Sequence, residues 1–370
     1  MPHPRLALTG FAAGLMVGCS NPSSPDPSSP ATDSPSLANA ASAPALTPQQ
    51  SGTINRLQAV SPVSAQVVWA SGVGGTYAIT RNGGQTWHAA VVPGAEALQF
   101  RDVEGISGQE AYLLSAGPAD SSRVYHTTDG GRTWQLQFKN REPTGFYDCF
   151  AFWTPDRAVL MGDVIDGRLP VRRTLDGRFW PDIGDNLPAG QEGEAAFAAS
   201  GTCVATQGEK NAWIATGGAE RARILATTDG GNTWKDYATP ISQGTPASGN
   251  FTVAFRDALH GVVAGGDLDQ PDVRNRNFAV SSDGGKTWQR RPSAPLHGAI
   301  FGLSYAAGHD RGPNVKRVVV TGPGGAAWTD DEGETWTRLQ GVRDYWAVAF
   351  ANQQVGWFVG TEGRILKITF

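Results

Sequence analysis

Apolar positions along the chain come in short bursts, and no stretch carries the three-to-four spacing of a long amphipathic helix. Val67-Val68-Trp69-Ala70, Ala212-Trp213-Ile214-Ala215 and Val355-Gly356-Trp357-Phe358 are such bursts, each with a tryptophan among small or aliphatic neighbours. They read as buried strands. Other bursts frame a turn: Ile224-Leu225-Ala226-Thr227 leads in, Asp229-Gly230-Gly231 reverses the chain, and Thr233-Trp234-Lys235-Asp236-Tyr237 leads out. Strand, glycine turn and strand in that order predict a β-hairpin, because glycine supplies the positive φ of the tight turn. With 47 Gly and 24 Pro in 370 residues, turns are dense enough to cut the whole chain into short strands. The expected class is all-β.

The hairpin turn repeats. Thr127-Thr128-Asp129-Gly130-Gly131-Arg132-Thr133-Trp134 recurs as Thr227 to Trp234, Ser281 to Trp288 and Thr329 to Trp336. Degenerate copies run from Thr80 to Trp87, with Asn82 for Asp, and from Thr174 to Trp180, shortened around Asp176. The closing tryptophans are 47, 46, 54, 54 and 48 residues apart, the period of one four-stranded sheet in a β-propeller. Six blades follow at about 54–92, 97–139, 146–184, 194–240, 248–292 and 298–340. A seventh, Tyr345 to Phe370, has room for three strands only. A ring closes by letting the other terminus complete the last blade, so Pro48 to Thr53 is the expected fourth strand. The prediction is a single seven-bladed propeller over 48–370. Asn82, Asp129, Asp176, Asp229, Asp283 and Asp331 are read as turn acceptors that fasten backbone amides and touch no ligand.

Ahead of the ring, the segment from Leu6 to Val17 is apolar or small and preceded by Arg5, too short to span a bilayer and suited to a secretory signal core. It ends in Met16-Val17-Gly18-Cys19, which resembles a lipobox and implies a signal peptide over 1–18 and lipidation of Cys19. Ser20 after it, by resemblance to lipoproteins of two-membrane bacteria, implies the outer membrane, facing the periplasm. Residues 19–47 are dominated by Ser, Pro and Ala, the composition of an unstructured tether. Cys149 and Cys203, expected on the innermost strands of consecutive blades, are either a disulfide or two buried apolar side chains. The formal charge of −4 is too mild to argue for nucleic acid. A monomer is expected.

The Thr-x-Asp-Gly-Gly-x-Thr-Trp turn resembles the Asp-box, or bacterial neuraminidase repeat, which joins the third and fourth strands of propeller blades. Together with the lipobox, the tether and the single seven-bladed ring, it makes residues 50–370 similar to the photosystem II stability and assembly factor family and its non-photosynthetic bacterial relatives. That resemblance implies a tethered, non-catalytic propeller holding a membrane-protein assembly intermediate, without a cofactor. The family's arginine-rich face has no motif to transfer, since only Arg172-Arg173 and Arg290-Arg291 are adjacent pairs here. The alternative is a glycoside hydrolase of the sialidase type, which needs three clustered arginines, a Tyr activated by a Glu and an Asp acid. Its early Phe-Arg-Ile-Pro string is absent, with Phe100-Arg101-Asp102-Val103 the nearest approach. The histidines (His3, His88, His126, His260, His297 and His309) are isolated, and no metal-ligand spacing appears.

A binding face is expected opposite the Asp-box turns, from the loops after second strands and the loops between blades. It collects Arg101 and Asp102, Tyr147 and Asp148, Asp163 and Arg168, Glu192 and Glu194, Asp267 and Asp269, and Arg343, Asp344 and Tyr345. Asp163, Arg168, Glu194 and Asp267 are expected to converge at the channel mouth, Gly162-Asp163 and Gly266-Asp267 ending equivalent strands. Such a pocket suits a protein or glycan partner; the alternative is that these residues pair among themselves.

Overall fold

The computed structural model describes residues 43–308, 312 and 314–370. The expected signal peptide, Cys19, nearly all of the tether, His3 and His309 lie outside the described residues. No helix among those described is long and apolar enough to cross a membrane.

Seven antiparallel sheets make seven blades. Blade one is Leu57–Pro62, Val68–Gly72, Thr76–Thr80 and His88–Val91; blade two is Phe100–Gly105, Ala111–Ser115, Arg123–Thr127 and Gln135–Lys139. Blade three has Tyr147–Thr154, Arg157–Gly162 and Arg172–Thr174, with a single bridge from Arg172 to Asp182 in place of a fourth strand. Blade four is Val204–Gln207, Asn211–Thr216, Arg223–Thr227 and Lys235–Ala238; blade five is Ser248–Phe255, Gly261–Asp267, Phe278–Ser281 and Gln289–Arg290. Blade six is Gly302–Tyr305, Val318–Gly322, Gly325–Thr329 and Thr337–Arg338. Blade seven is Tyr345–Phe350, Val355–Gly360 and Arg364–Thr369, completed by Ala45–Gln50 from the other end of the chain.

The closing strand thus starts three residues before the expected Pro48 and ends three before Thr53. It pairs in register from Ala45 opposite Thr369 to Gln50 opposite Arg364. Gln49 does more than pair: its Oε1 accepts the indole N–H of Trp87 in blade one (3.0 Å) and of Trp357 in blade seven (3.1 Å), and its Nε2 donates to Gly83 O (3.3 Å). One side chain therefore bonds both blades across the closure.

The core is distributed between blades. Each buried cluster joins two neighbours, as where Trp213 and Ile224 of blade four meet Val253, Phe255 and Val263 of blade five. The second-strand tryptophans Trp69, Trp213 and Trp357 are essentially unexposed, as their apolar surroundings in the sequence predict. The Asp-box turns add an inter-blade contact. A Cβ on Gly131 would meet the Tyr77 ring of the preceding blade, whose hydroxyl donates to Gly131 O at 2.6 Å. Glycine is needed there for the close approach as well as for its φ of +89°.

Candidate functional site

Two ends of the ring have to be distinguished. In blade two Gly105 pairs with Ala111 and Ala111 with Thr127, so the loop between strands one and two and the Asp-box loop leave from the same end. Phe100, Ser115 and Arg123 mark the other end.

At the Asp-box end, the turns are built as the sequence reading expects. In the second blade Thr127 Oγ1 donates to Asp129 Oδ1 (2.9 Å) and accepts the Gly131 amide (3.0 Å); Asp129 in turn accepts the Thr133 amide (2.9 Å) and hydroxyl (2.6 Å). Asp229, Asp283 and Asp331 repeat this set. Asp176 keeps two backbone amides, those of Arg178 and Phe179. Asn82 keeps the Thr86 amide but donates its Nδ2 to the Thr86 hydroxyl, reversing the bond that an aspartate accepts. The Thr133 hydroxyl and amide hold the Asp129 carboxyl down at about 2. In the four intact turns both carboxylate oxygens are engaged within the turn itself.

At the opposite end the innermost strands share a feature invisible in the periodicity. Their pairing with the second strand skips one residue, a β-bulge, at Gln58, Arg101, Asp148, Phe251 and Trp346 in blades one, two, three, five and seven. In blade six Phe301 stands at the same place, its amide donating to Thr321 O, the residue paired with Gly302. In blade four the skip grows into Ala196–Thr202, between the Ala195 to Gly217 bridge and the Ala215 amide bond to Cys203 O. A bulge releases one side chain from the alternation of its strand and re-aims it. Five bulges, Phe301 at the equivalent place in blade six and the longer excursion of blade four put a ring of side chains from all seven blades at the channel end.

One half of this ring is aromatic. Phe197, Phe251, Phe301 and Trp346, from blades four to seven, follow one another with centroids 4.0, 6.0 and 5.1 Å apart. The other half is polar and incompletely bonded. Arg56, two residues before the first bulge, lies 4.4 Å over the Trp346 ring, and its Nε is buried without a hydrogen-bond partner. Arg101 bonds only neutral groups, Gln99 Oε1 (2.8 and 3.2 Å) and Ala198 O (3.4 Å). Burial first, and then the charge of Arg56, lower the Arg101 pKa, so the two cations are neighbours. Gln58 is fully buried, yet neither its Oε1 nor its Nε2 has a partner. Natural proteins rarely leave such groups unmet, because each costs its full desolvation.

Beside the arginines, Asp148 and Asp163 form a buried acidic pair. Burial, then the charge of Asp163, push Asp148 well up; burial pushes Asp163 to about 6 although the pair and the Ala196 amide (3.2 Å) oppose the rise. Both carboxyls are raised by burial, so each gives up its proton less readily than an exposed aspartate. Asp148 Oδ2 is another buried atom without a bonded partner.

Of the residues expected at this end, Arg101, Asp148 and Asp163 lie close together, whereas the side chains of Asp163, Arg168, Glu194 and Asp267 each bond a different partner. Asp102 is buried and accepts the amides of Val103 (2.8 Å) and Phe150 (2.9 Å), tying blade two to blade three. Tyr147 accepts from Arg172 Nε (2.7 Å). Arg168 is taken by Asp182 (2.5 Å) and Asp185 (2.7 Å). Glu194, fully buried, holds Arg223 (2.6 Å) and the Thr216 hydroxyl (2.7 Å). Asp267 does end the second strand of blade five, at the same end as Asp163, yet it binds its own loop through the Asp269 amide (3.0 Å) and Gln270 (2.8 Å). Arg343, Glu192 and Asp269 are exposed, and Asp344 approaches Arg364 at 3.5 Å. Most of this set is bonded to residues outside it or exposed, and only Asp148 with Asp163 and Asp267 with the Asp269 amide pair within it.

Arg56, Gln58 and the aromatic half were missed because a bulge breaks alternation at a single residue. One signal was present: Gly72, Gly162, Gly265, Gly322 and Gly360 close second strands where a Cβ would strike the backbone carbonyl of Arg56, Phe146, Gly249, Ala299 or Asp344. Glycine at a strand end marks that close approach.

Of the groups a sialidase needs, a tyrosine bonded to a carboxylate is found among the described residues at the Asp-box end, away from the bulges. The tyrosine with a carboxylate bonded to it is Tyr305, whose hydroxyl donates to Glu332 at 2.7 Å beside Arg256, in the Asp-box turn of blade six. Burial, then the charge of Glu332, push its phenol well up, which is opposite to what a nucleophile needs.

A family model described as BNR/Asp-box repeat matches residues 125–136 and 279–290. None of the curated proteins matches the sequence. Two solved structures are similar over nearly the whole propeller. YCF48 bound to D1 peptide is 18% identical, with 88% of this chain and 97% of that chain covered and a TM-score of 0.62. YCF48 from Cyanidioschyzon merolae is 17% identical, with 88% and 99% covered and a TM-score of 0.61. The shared property at these identities is the seven-bladed fold.

Proposed function

We propose that this protein is a non-catalytic, envelope-tethered scaffold whose bulge ring binds an extended segment of a protein partner. The observation that carries the reading is the ring itself. Two neighbouring guanidinium groups, neither within salt-bridge distance of a carboxylate among the described residues, and a buried unbonded amide adjoin an aromatic arc, an arrangement that leaves some of its own polar groups unmet until something else supplies acceptors. Arginine forks suit carboxylate and carbonyl oxygens, and half-buried aromatic faces suit an apolar side chain in the same segment. The similar fold of YCF48, of which one structure holds a D1 peptide, supports a peptide over a glycan. The Leu6 to Cys19 pattern supports lipidation and an outer-membrane, periplasm-facing location. A membrane-protein complex is then the partner class within reach of the tether.

The test is affinity capture from the protein's own membranes with the full chain, comparing wild type with the Arg56→Gln/Arg101→Gln double variant, Trp346→Ala, and Arg290→Gln as a control in an outer strand. The ring variants should lose at least about tenfold of the recovered partner, as for central contacts of an interface, and the control none. Equal recovery by all four would remove the ring from consideration. Turnover of a fluorogenic glycoside that the ring variants abolish would replace the scaffold with the hydrolase reading.

A further inference from the structure

The ring contains one element that is not a single side chain. The 54-residue spacing from Trp180 to Trp234 exceeds the usual period, and Ala196–Thr202 is looped out of blade four within that interval. The segment has no strand pairing of its own, and its contacts run outward to other blades. The Ala196 amide donates to Asp163 of blade three (3.2 Å), and Ala198 O accepts from Arg101 of blade two (3.4 Å). The Ser200 hydroxyl donates to Phe301 O at the entry to blade six (2.7 Å), and the Thr202 and Thr252 hydroxyls are 2.7 Å apart, reaching blade five. Phe197 lies on Phe251 at 4.0 Å. Gly201, at a φ of +72°, lies so close to Asp102 of blade two that a Cβ would strike its carboxyl. A segment that leaves blade four and touches blades two, three, five and six has to lie across the channel.

The strap ends at Cys203, which is bonded to Cys149 with the two Cα atoms 5.9 Å apart, and Cys149 directly follows the bulged Asp148. Both cysteines are fully buried. The disulfide thus fixes one end of the strap to the wall of the neighbouring blade, beside the Asp163 bond that fixes the other. Between these anchors the hold is a few isolated hydrogen bonds and one ring contact.

We infer that Ala196–Thr202 is a strap closing the channel at the ring, latched by the Cys149–Cys203 disulfide and released when that disulfide is reduced. The step is a thiol–disulfide exchange with an external dithiol. One thiolate attacks a protein sulfur and expels the other cysteine as a thiolate; the reagent's second thiolate then attacks the mixed disulfide and expels the first cysteine, so the dithiol ends as a disulfide and the protein, after taking up two protons, with two thiols. Release takes Phe197 out of the aromatic arc and removes the Ala198 acceptor from Arg101, so the latch sets the shape of the proposed binding ring. This consequence rests on the binding reading, whereas the latch itself does not.

Amide hydrogen exchange on the full-length protein tests it without any partner. Three forms are compared: oxidised wild type, wild type reduced with a trialkylphosphine and alkylated, and the Cys149→Ala/Cys203→Ala variant, which carries no bulky adduct. In both forms lacking the disulfide, amides of 196–202 should exchange at least about tenfold faster while Val318–Gly322 in blade six keeps its rate, the pattern of a local opening. Unchanged exchange in 196–202 would show that side-chain contacts hold the strap and would overturn the latch. Acceleration in all blades together would also overturn it, by making the disulfide a general staple of the ring. Either failure leaves the binding reading to its own capture experiment.

Discussion

Asp229 stands for the role of a single residue in this fold. Its carboxylate accepts the Asn232 and Thr233 amides, both at 2.9 Å, together with the Thr227 and Thr233 hydroxyls. Asp229→Ala should cost about 1–3 kcal/mol in denaturant unfolding by stranding those donors, and leave partner capture intact. A variant with unchanged unfolding and lost capture would overturn the structural role of the turn. The pH dependence has a sign that differs between the two ends. Asp129 and Asp229 are held at about 2, below the unfolded value, so the stability they add is present above pH ~4 and lost as pH falls toward 2. Asp163 is raised to about 6 by burial, so its protonated form favours the fold and stability declines as pH rises from ~4 through 6. Asp163→Asn, which keeps an acceptor for the Ala196 amide, should flatten the decline between pH 4 and 7 without touching the acid limb. An unaltered profile in urea titrations across that range would contradict the buried-acid assignment.

At the level of one strand, Ala45–Gln50 decides whether the ring is closed. Without it, Arg364–Thr369 is an open edge and Trp87 and Trp357 lose the Gln49 acceptor shared between them. Gln49→Ala should therefore destabilise by about 1–3 kcal/mol, from two buried indole donors left unmet. A chain cut just before Ala45 should melt like wild type and one cut after Thr53 well below it; identical melting temperatures would refute the closure. The six Asp-box turns and the blade order were legible in the sequence because each turn demands fixed residue types at fixed offsets. The start of the closing strand was not, since Ala45-Leu46-Thr47 continues the Ser, Pro and Ala composition of the tether and becomes a strand only by pairing with Thr369, Ile368 and Lys367.

For the whole molecule, a scaffold reading predicts that attachment and folding are separable. Cys19→Ser should move the protein out of the membrane fraction while leaving its melting temperature unchanged, because the buried clusters lie between blades and, among the described residues, none of their members precedes Leu46. Retention of the variant in membranes washed with high salt would refute the lipid anchor.

The sequence by itself determined the class of fold, the number of blades and the turns that fasten them, since these rest on local chemistry repeated at a fixed period: glycine for positive φ, aspartate for turn amides, tryptophan for the buried face. Only the tertiary structure decided which charged residues are spent on one another and which are left over. Glu194 and Arg223 are 29 residues apart in the chain and bonded to each other, whereas Arg56 and Arg101 come together from two blades with Asp148 nearby and no direct bond to a carboxylate among the described residues. The same holds for Cys149 and Cys203, whose bonding was open until adjacent blades placed their Cα atoms 5.9 Å apart. The physical reason is that most of the ring is made by a one-residue slip in the innermost strand, found in five of the seven blades. A slip leaves composition and period unchanged, and its meaning appears only when the blades bring these residues to one mouth.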